Sequence, residues 1–325
     1  MGFAVGRGVR WAFCLFLASG FVLILCGVGR ILDRVVPKLV VTFFDVGQGD
    51  SIAVTFPNGQ VALVDAPGGF GKWNGGERVV LPEMLRQGRL SLDFLVMTHP
   101  DADHAQGLAP IAEQLSIREF LYHSVFGTTE VVRKIQEAVK GKGGRATPIT
   151  GRSEFQAGSA RMVLSPMGHA CGWCGDNDRS VIVELEYGGC RVLLTADVEM
   201  PAESEWLKRG GHTIDLLKVA HHGSKTSSAK SFLLATSPQL AVASLGWRNR
   251  YHHPHPSVVK RYQALGIPLL RTDVDGFVEV SIHREGLMEC RTWHGSCGVY
   301  RCSGRSSNSL FSALRRSRNS AARSN

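Results

Sequence analysis

Residues 98–104 read Thr-His-Pro-Asp-Ala-Asp-His, so two imidazoles (His99, His104) and two carboxylates (Asp101, Asp103) lie within one short segment. Four such groups are costly to bury together unless a cation lies between them. The preceding residues are mainly apolar and predict a buried strand, which puts the cluster in the turn where that strand ends. The alternative, a solvated charged loop, gives no reason for this pairing at this spacing. The segment therefore predicts a metal site.

The positive charge of the chain is concentrated at its two ends. The 325 residues carry a formal net charge of +9, and the length suits one large domain or two smaller ones. Residues 1–38 contribute +4 and residues 296–325 contribute +6, which leaves −1 for residues 39–295. The basic balance is therefore weak evidence that the central region binds nucleic acid.

An uncharged apolar run near the amino terminus predicts a membrane anchor. Residues 11–28 contain no charged side chain, and 18 residues are just enough to span a bilayer as a helix. A secretory signal peptide is the alternative, but the run is long and no Ala-x-Ala cleavage site follows it. We predict an anchor and linker over residues 1–38, a folded domain over 39–295, and a basic, Ser/Arg-rich, disordered tail over 296–325.

The chain has eight cysteines, of which Cys171 and Cys174 form a C-x-x-C motif in a Gly-rich loop. No second C-x-x-C is present to complete a four-thiolate zinc site. The pair is open to two interpretations, a disulfide in an oxidising compartment or two inert thiols. The remaining cysteines are scattered along the sequence.

Predicted strands and helices alternate in two strand-rich halves of similar length. The predicted strands cover residues 39–44, 51–56, 61–64, 92–98, 180–187, 191–195, 215–219, 240–245, 268–271 and 276–282. The predicted helices cover residues 77–88, 105–115, 128–140, 201–209, 228–235 and 256–265. This order indicates an α+β fold in which two sheets pack face to face with helices outside, in four layers.

Polar side chains with ligand chemistry follow several of these strands. They are Asp65, the residue 98–104 cluster, Asp197, His221 with His222, and the histidines at 252, 253 and 255. A two-metal site needs about seven or eight N and O ligands, with one carboxylate able to bridge the two ions. Side chains at separate strand ends can converge on one such site.

Five motifs, taken in order, resemble the metallo-β-lactamase-type domain of the ComEC/Rec2 DNA-uptake (competence) family. They are Asp-Val-Gly-Gln-Gly-Asp from 45, Thr-His-Pro-Asp-Ala-Asp-His from 98, Leu-Thr-Ala-Asp from 194, His-His-Gly-Ser-Lys-Thr-Ser from 221 and His-Pro-His-Pro from 253. The resemblance covers about residues 39–283. It implies an αββα sandwich and a two-metal hydrolase, proposed in the family to degrade the DNA strand that is not taken up. The resemblance does not extend to the family's multi-spanning channel region or its N-terminal OB-type domain, so we expect one membrane helix followed by the hydrolase domain.

The resemblance also implies a set of ligands for two divalent ions, Zn²⁺ or Mn²⁺. His99, Asp101 and Asp197 would surround one ion, while Asp103, His104, Asp197 and either His221 or His222 would surround the other. Asp101 replaces a histidine of the wider superfamily, and the extra carboxylate favours harder ions without excluding zinc. Two departures concern other positions: Asn177 and Ser180 stand in the loop where the superfamily supplies a further histidine, with His169 an off-pattern candidate, and Ala196 replaces a usual glycine.

The remaining candidate residues have supporting roles. Asp65 is expected to orient a ligand histidine, as carboxylates behind metal ligands do. Lys225 is a candidate for stabilising phosphate charge, and His253 and His255 for protonating a leaving oxygen. Asp45, Gln48 and Asp50 either support the site or shape the tight turn around Gly47 and Gly49. Residues 247–251, Trp-Arg-Asn-Arg-Tyr, suit stacking on single-stranded nucleic acid and equally suit an ordinary exposed loop.

Our first hypothesis is a membrane-anchored, metal-dependent phosphodiesterase that acts on DNA, with single-stranded DNA the expected form, during uptake. The apolar run predicts a single-pass protein of the inner membrane, and the nearly balanced charges on its two flanks leave the orientation open. We expect the hydrolase domain on the extracytoplasmic side, with a separate channel protein as partner. A second hypothesis keeps the fold and metals but takes a small ester, thioester, lactone or lactam, because fold does not fix function. A third is a non-enzymatic, metal-containing component of an uptake complex.

Overall fold

The computed structural model describes residues 36–68, 73–168 and 175–304. The predicted membrane anchor, the Cys171–Cys174 motif and His169 lie outside these residues. Within them, no helix combines the length and apolar character needed to cross a membrane.

Sixteen strands and eight helices form the described part of the chain. The strands are β1 Lys38–Phe43, β2 Ile52–Thr55, β3 Val61–Val64, β4 Ser91–Met97, β5 Ser116–His123, β6 Arg145–Ile149, β7 Ser153–Ala157, β8 Ala160–Pro166, β9 Val181–Tyr187, β10 Cys190–Leu194, β11 Leu216–Lys218, β12 Leu240–Ala243, β13 Leu269–Arg271, β14 Val278–His283, β15 Leu287–Thr292 and β16 Gly295–Arg301. The helices are α1 Leu81–Arg86, α2 Ala102–Ala105, α3 Leu108–Gln114, α4 Glu130–Gly141, α5 Met200–Lys208, α6 Lys230–Thr236, α7 Pro256–Ala264 and α8 Thr272–Asp275. One wider helical turn, Gly76–Val80, leads into α1.

The strands form two sheets. The first has the order β16-β15-β14-β1-β2-β3-β4-β5-β6, and the second has the order β13-β12-β11-β10-β9-β8-β7. Strands β3 to β6 run parallel, as do β10 to β13. Because the carboxyl ends of parallel strands meet at one edge, the residues that follow β3 and β4 lie together, and so do those that follow β10 and β11.

Three apolar clusters lie between the layers. The largest joins the facing sides of the two sheets and includes Phe43, Val96, Leu164 and Val192. A second lies between the first sheet and α1, α3 and α4, and a third lies between the second sheet and α5 to α7. The prediction of two facing sheets with helices outside is therefore confirmed.

The end of the domain differs from the prediction. Residues 296–302, assigned to a disordered tail, belong to the fold: β16 pairs antiparallel with β15 at the edge of the first sheet. Two disulfides hold this region, Cys290–Cys297 between β15 and β16, and Cys190–Cys302 between the start of β10 and the residue after β16. The Gly-rich sequence of β16 has little strand pattern of its own, so its pairing depends on its neighbours.

Five further strands, β5 to β8 and β15, were also not predicted. Strand β5 carries Arg118 and Glu119 near its start, and β6 contains Pro148. These residues interrupt the apolar pattern by which each strand could have been predicted from the sequence. Strands β5 and β6 form because β5 pairs with the buried β4, and β6 pairs with β5 at the edge of the sheet.

Candidate metal centre

The candidate centre lies where four strands end. Asp65 follows β3, residues 98–104 follow β4, Asp197 follows β10, and His221 and His222 follow β11. The first two come from one sheet and the last two from the other, so the site is formed at the same edge of both sheets.

Four side chains offer ligand atoms that all lie within 4.8 Å of one another: Asp103, His104, Asp197 and His222. The Nε2 atoms of His104 and His222 are 3.3 Å apart. Asp197 Oδ1 lies 3.2 Å from His104 Nε2, and Asp197 Oδ2 lies 3.3 Å from His222 Nε2. We call these four residues the central cluster.

The hydrogen bonds behind the two histidines set their tautomers. His104 Nδ1 lies 2.8 Å from Asp65 Oδ2, and His222 Nδ1 lies 2.7 Å from the backbone carbonyl of Ser244. Each Nδ1 therefore donates its proton outward, so each Nε2 of the neutral ring directs a lone pair into the central cluster. Two lone pairs and a carboxylate that face one another in a buried site require a cation. The donor set fits a divalent metal ion.

The pKa shifts of the same side chains also favour positive charge in this pocket. Burial would lower the pKa of His222, but the carboxylates of Asp197 and Asp50 outweigh it and raise that pKa to about 9. Burial would raise the pKa of Asp197, but the positive charges of His222, His104 and Lys218 hold it well below its usual range. The pocket thus stabilises positive charge beside the carboxylate of Asp197.

A second group of candidate ligands also reaches Asp197. His221 Nε2 is 3.7 Å from Asp197 Oδ2 and 3.5 Å from Asn177 Nδ2, while His221 Nδ1 is 3.1 Å from Glu199 Oε1. Asp197 Oδ2 is therefore close to the Nε2 atoms of both consecutive histidines, His221 and His222.

His99 and Asp101 supply further donors. His99 is fully buried, and its Nε2 has no hydrogen-bond partner among the described residues. The nearest carboxylate oxygen, Asp101 Oδ2, lies 3.7 Å away. The ring centroid of His99 is 4.1 Å from that of His104. A buried imidazole nitrogen left without a partner fits a position that a metal ion would satisfy.

Asp65 is placed as a positioning carboxylate. Its oxygens accept hydrogen bonds from Thr98 N at 2.8 Å and Thr98 Oγ1 at 2.6 Å, in addition to contacting His104 Nδ1. The residue is 1% exposed. Since its oxygens face the back of His104, Asp65 fixes the ring without facing the central cluster.

A buried lysine that was not among the predicted site residues contacts the site. Lys218 is fully buried at the end of β11, and its Nζ lies 2.5 Å from Asp50 Oδ2 and 3.4 Å from Asp197 Oδ1. The same ammonium donates to the backbone carbonyl of Ala196 at 2.7 Å. Lys225 is exposed in the following loop, so the lysine that contacts the site carboxylates is Lys218. The sequence feature that could have indicated this role is a lysine at the end of an otherwise apolar strand.

The other candidates lie around this centre. His253 lies against His221, with ring centroids 5.9 Å apart, and burial is the largest cause that lowers its pKa to about 4. His255 caps α7, because its Nδ1 accepts from Ser257 N. Ser180 Oγ is buried without a partner in the described structure. Gln48 accepts from Gly246 N, and Asp45 lines a groove with Phe277 and Trp293.

Comparison with known proteins agrees with this geometry. The family model described as "Metallo-beta-lactamase superfamily" matches residues 44–247. ComE operon protein 3 of Bacillus subtilis (strain 168) is 30% identical over 253 residues, which are 74% of this chain and 32% of that protein. Competence protein ComA of Neisseria gonorrhoeae is 31% identical over 287 residues, 87% of this chain and 37% of that protein. The chain thus spans about a third of the length of these relatives.

The fold also matches a solved structure. CmlA, a diiron beta-hydroxylase from Streptomyces venezuelae, aligns with a TM-score of 0.52 at 15% identity, over 76% of this chain and 54% of that one. At this identity the match shows the fold alone. The family match, the two facing sheets and the Asp/His cluster lead to one conclusion: the chain belongs to the metallo-beta-lactamase superfamily, and its curated relatives are competence proteins of the ComEC family.

Proposed function

We propose that this chain is a metal-dependent phosphodiesterase that cleaves DNA during uptake. The observation that carries the proposal is the central cluster, in which two imidazole Nε2 atoms and a carboxylate converge in a buried pocket. The curated relatives named for competence support DNA as the substrate.

The proposed ligands divide into two groups that share Asp197. Asp103, His104 and His222 would hold one divalent ion with Asp197. His99, Asp101 and His221 would hold the second ion with Asp197, and Asn177 lies beside His221. Bound there, the ions would polarise a phosphoryl oxygen and lower the pKa of a water molecule.

The protein residues supply position and charge. Asp65 and the Ser244 carbonyl hold the rings of His104 and His222 from behind, and Glu199 holds His221 in the same way. The Lys218 ammonium balances the charge of the Asp50 carboxylate and also contacts the carboxylate of Asp197. His253 lies at the edge of the site beside His221, and because its pKa is lowered to about 4 its neutral ring can hydrogen-bond a substrate oxygen near pH 7 but does not carry an acid proton.

Two disulfides support an extracytoplasmic location for the domain. Structural disulfides persist in oxidising compartments and are rare where thiols are kept reduced. Cys190–Cys302 and Cys290–Cys297 both lie within the folded domain. We therefore propose that the domain lies outside the cytoplasm; the anchor at residues 11–28 and a separate channel protein stay predictions from the sequence.

The test is cleavage of labelled single-stranded DNA by the full chain with Mn²⁺, Zn²⁺ or EDTA. We expect metal-dependent cleavage, and loss of both bound metal and activity in Asp103→Ala. The control Asp93→Ala removes a carboxylate near the start of β4 that accepts from Gln60 Nε2 and Val61 N and pairs with Arg118. This variant should retain both metal and activity. Full activity in Asp103→Ala would contradict the mechanism. Hydrolysis of a small ester or lactam without DNA cleavage would contradict the proposal that DNA is the substrate.

A further inference from the structure

A loop of aromatic and cationic side chains borders the candidate metal centre. Residues 247–253, here called the ring loop, follow β12 and lead to α7. Trp247 is 69% exposed and Tyr251 is 44% exposed. Single exposed aromatic side chains are normal on protein surfaces, but these two lie close together beside the candidate metal centre.

The rings form a path toward the metal ligands. The Tyr251 ring lies parallel to that of His253, with centroids 5.8 Å apart and an interplanar angle of 18°. The His253 ring meets that of His221 at 5.9 Å and 70°. His221 Nε2 is in turn 3.7 Å from Asp197 Oδ2. A flat group stacked on Tyr251 would thus lie a few side chains from the reacting position.

The ring loop is held in shape by one amide. Asn249 Nδ2 donates to the carbonyls of Gly246 and His253, and Asn249 Oδ1 accepts from His253 N. Gly246 itself packs against the backbone of Gly47 and Gln48, where a Cβ atom would lie only 2.7 Å from Gln48 N. A preformed surface costs less ordering entropy on binding than a mobile loop.

Two arginines extend over the same rings. The guanidinium carbon of Arg248 lies 4.3 Å from the Trp247 ring centroid, and that of Arg250 lies 4.8 Å from the Tyr251 centroid. A cleft of about 280 Å³ opens between the ring loop and the turn at Gly47 and Gln48. Exposed aromatic faces paired with guanidinium groups suit a ligand that alternates flat bases with phosphates.

We propose that the ring loop is a binding subsite for single-stranded DNA, where Trp247 and Tyr251 stack on bases next to the phosphate to be cleaved. Arg248 and Arg250 contact the flanking phosphates. The inference rests on the proposed function, because it names the form of DNA that the same site takes. Duplex DNA fits less well, since its bases are already stacked on each other.

The test separates binding from cleavage. The full chain is titrated in EDTA with a fluorescein-labelled oligo(dT) of about 12 nucleotides, and anisotropy gives the Kd. We expect Trp247→Ala and Tyr251→Ala each to raise the Kd at least about 5-fold, because one base–aromatic stack contributes roughly 1–3 kcal/mol. Binding of a duplex should change less than binding of the single strand. Thermal melts confirm that the variants remain folded.

The matched control is Trp293→Ala, which removes an equally open tryptophan, 74% exposed, from the turn after β15. It should leave the Kd unchanged. Unchanged oligo(dT) binding in both ring-loop variants, or an equal loss in the control, would overturn the inference. So would variants that lose binding to phospholipid vesicles rather than to DNA. Failure of the proposed function shows separately, as absence of metal-dependent cleavage by the wild-type chain.

Discussion

Backbone strain at single residues is concentrated at the candidate centre. Asp65, Ala196, His221 and His222 all adopt positive φ, between 47° and 58°, which is rare for residues with a Cβ atom. Each one turns the chain sharply where a strand ends and a ligand or its support begins. Such strain is tolerated when the surrounding structure fixes it, and it is common at functional sites.

Ala196 offers a direct test of this strain. Its φ of 49° belongs to the left-handed region, which costs an L-residue about 1–2 kcal/mol, while glycine adopts it readily. The greater freedom of glycine in the unfolded chain offsets about 0.4–1 kcal/mol of that gain. We therefore expect Ala196→Gly to raise the free energy of unfolding by roughly 0.5–1 kcal/mol, measured by chemical denaturation. In contrast, Ala112→Gly inside α3 should lower it by about 0.5–1 kcal/mol. A destabilised Ala196→Gly would contradict the account.

Asp65 tests the support behind a ligand. Removing a carboxylate that orients a metal-bound histidine costs about 10–100-fold in metal affinity. We expect Asp65→Ala to show a loss of that size in competition with a chelator, because His104 Nδ1 would lose its acceptor. The control is Asp215→Ala, which removes an equally buried carboxylate that accepts from Arg191 N and Ser303 instead. An equal loss of affinity in both variants would show that burial, not orientation, accounts for the effect.

At the scale of elements, buried carboxylates connect helices of the second half. Glu203 in α5 accepts hydrogen bonds from Ser228 N at 2.6 Å and Ala229 N at 2.9 Å, just before α6. Asp178 accepts from Glu199 N at 2.8 Å, at the start of α5. These contacts hold the segment after His221 and His222 against the helix that follows Asp197, and so keep the ligands in register.

Glu203 predicts a pH dependence of stability. Burial is the largest influence and raises its pKa to about 7 from 4.5, although the two backbone N–H groups oppose it. The folded state therefore holds a proton that the unfolded state has already lost between these values. The stabilisation is full below about pH 4.5 and is lost as the pH rises to about 7, at most about 3 kcal/mol.

The measurement compares the free energy of unfolding of wild-type protein and Glu203→Gln at pH 5 and pH 8. Wild type should lose more stability than the variant over this interval, because glutamine does not titrate. The variant will be less stable at pH 5, since its amide cannot accept from both backbone groups. Equal losses in the two proteins would contradict the assignment.

At the scale of the whole molecule, one disulfide joins the two sheets. Cys190 begins β10 in the second sheet, and Cys302 follows β16 at the edge of the first, 112 residues later. Cys290 and Cys297 are only 7 residues apart, within one hairpin. A crosslink that closes a longer loop removes more entropy from the unfolded chain, so the two bonds should differ in their effect on stability.

We expect Cys302→Ser to lower the free energy of unfolding by about 4–5 kcal/mol and Cys297→Ser by about 2–3 kcal/mol, on the chain-entropy account. Denaturation of both variants, each with its partner cysteine also replaced by serine, tests the order. Reduction of the wild type should reproduce the sum within the error of additivity. A larger effect from the short hairpin bond would contradict the loop-length argument.

The sequence predicted most of what local pattern controls. Apolar runs followed by ligand residues located β3, β4, β10 and β11, and turn chemistry located the ends of these strands. Segments with mixed pattern were missed, because β5 to β8, β15 and β16 become strands only through pairing with neighbours. The disulfide partners were missed for the same reason, since spacing alone does not say which cysteines meet.

The sequence by itself determined which residue types end each strand, and hence that a metal-binding edge exists. Only the tertiary structure decided how they combine: His222 joins Asp103 and His104, His221 also approaches Asp197, and Lys218 balances the charge. The physical reason is distance. Ligand identity is a local property, whereas hydrogen-bond direction, burial and charge balance arise from residues more than 100 positions apart that meet where two sheets end together.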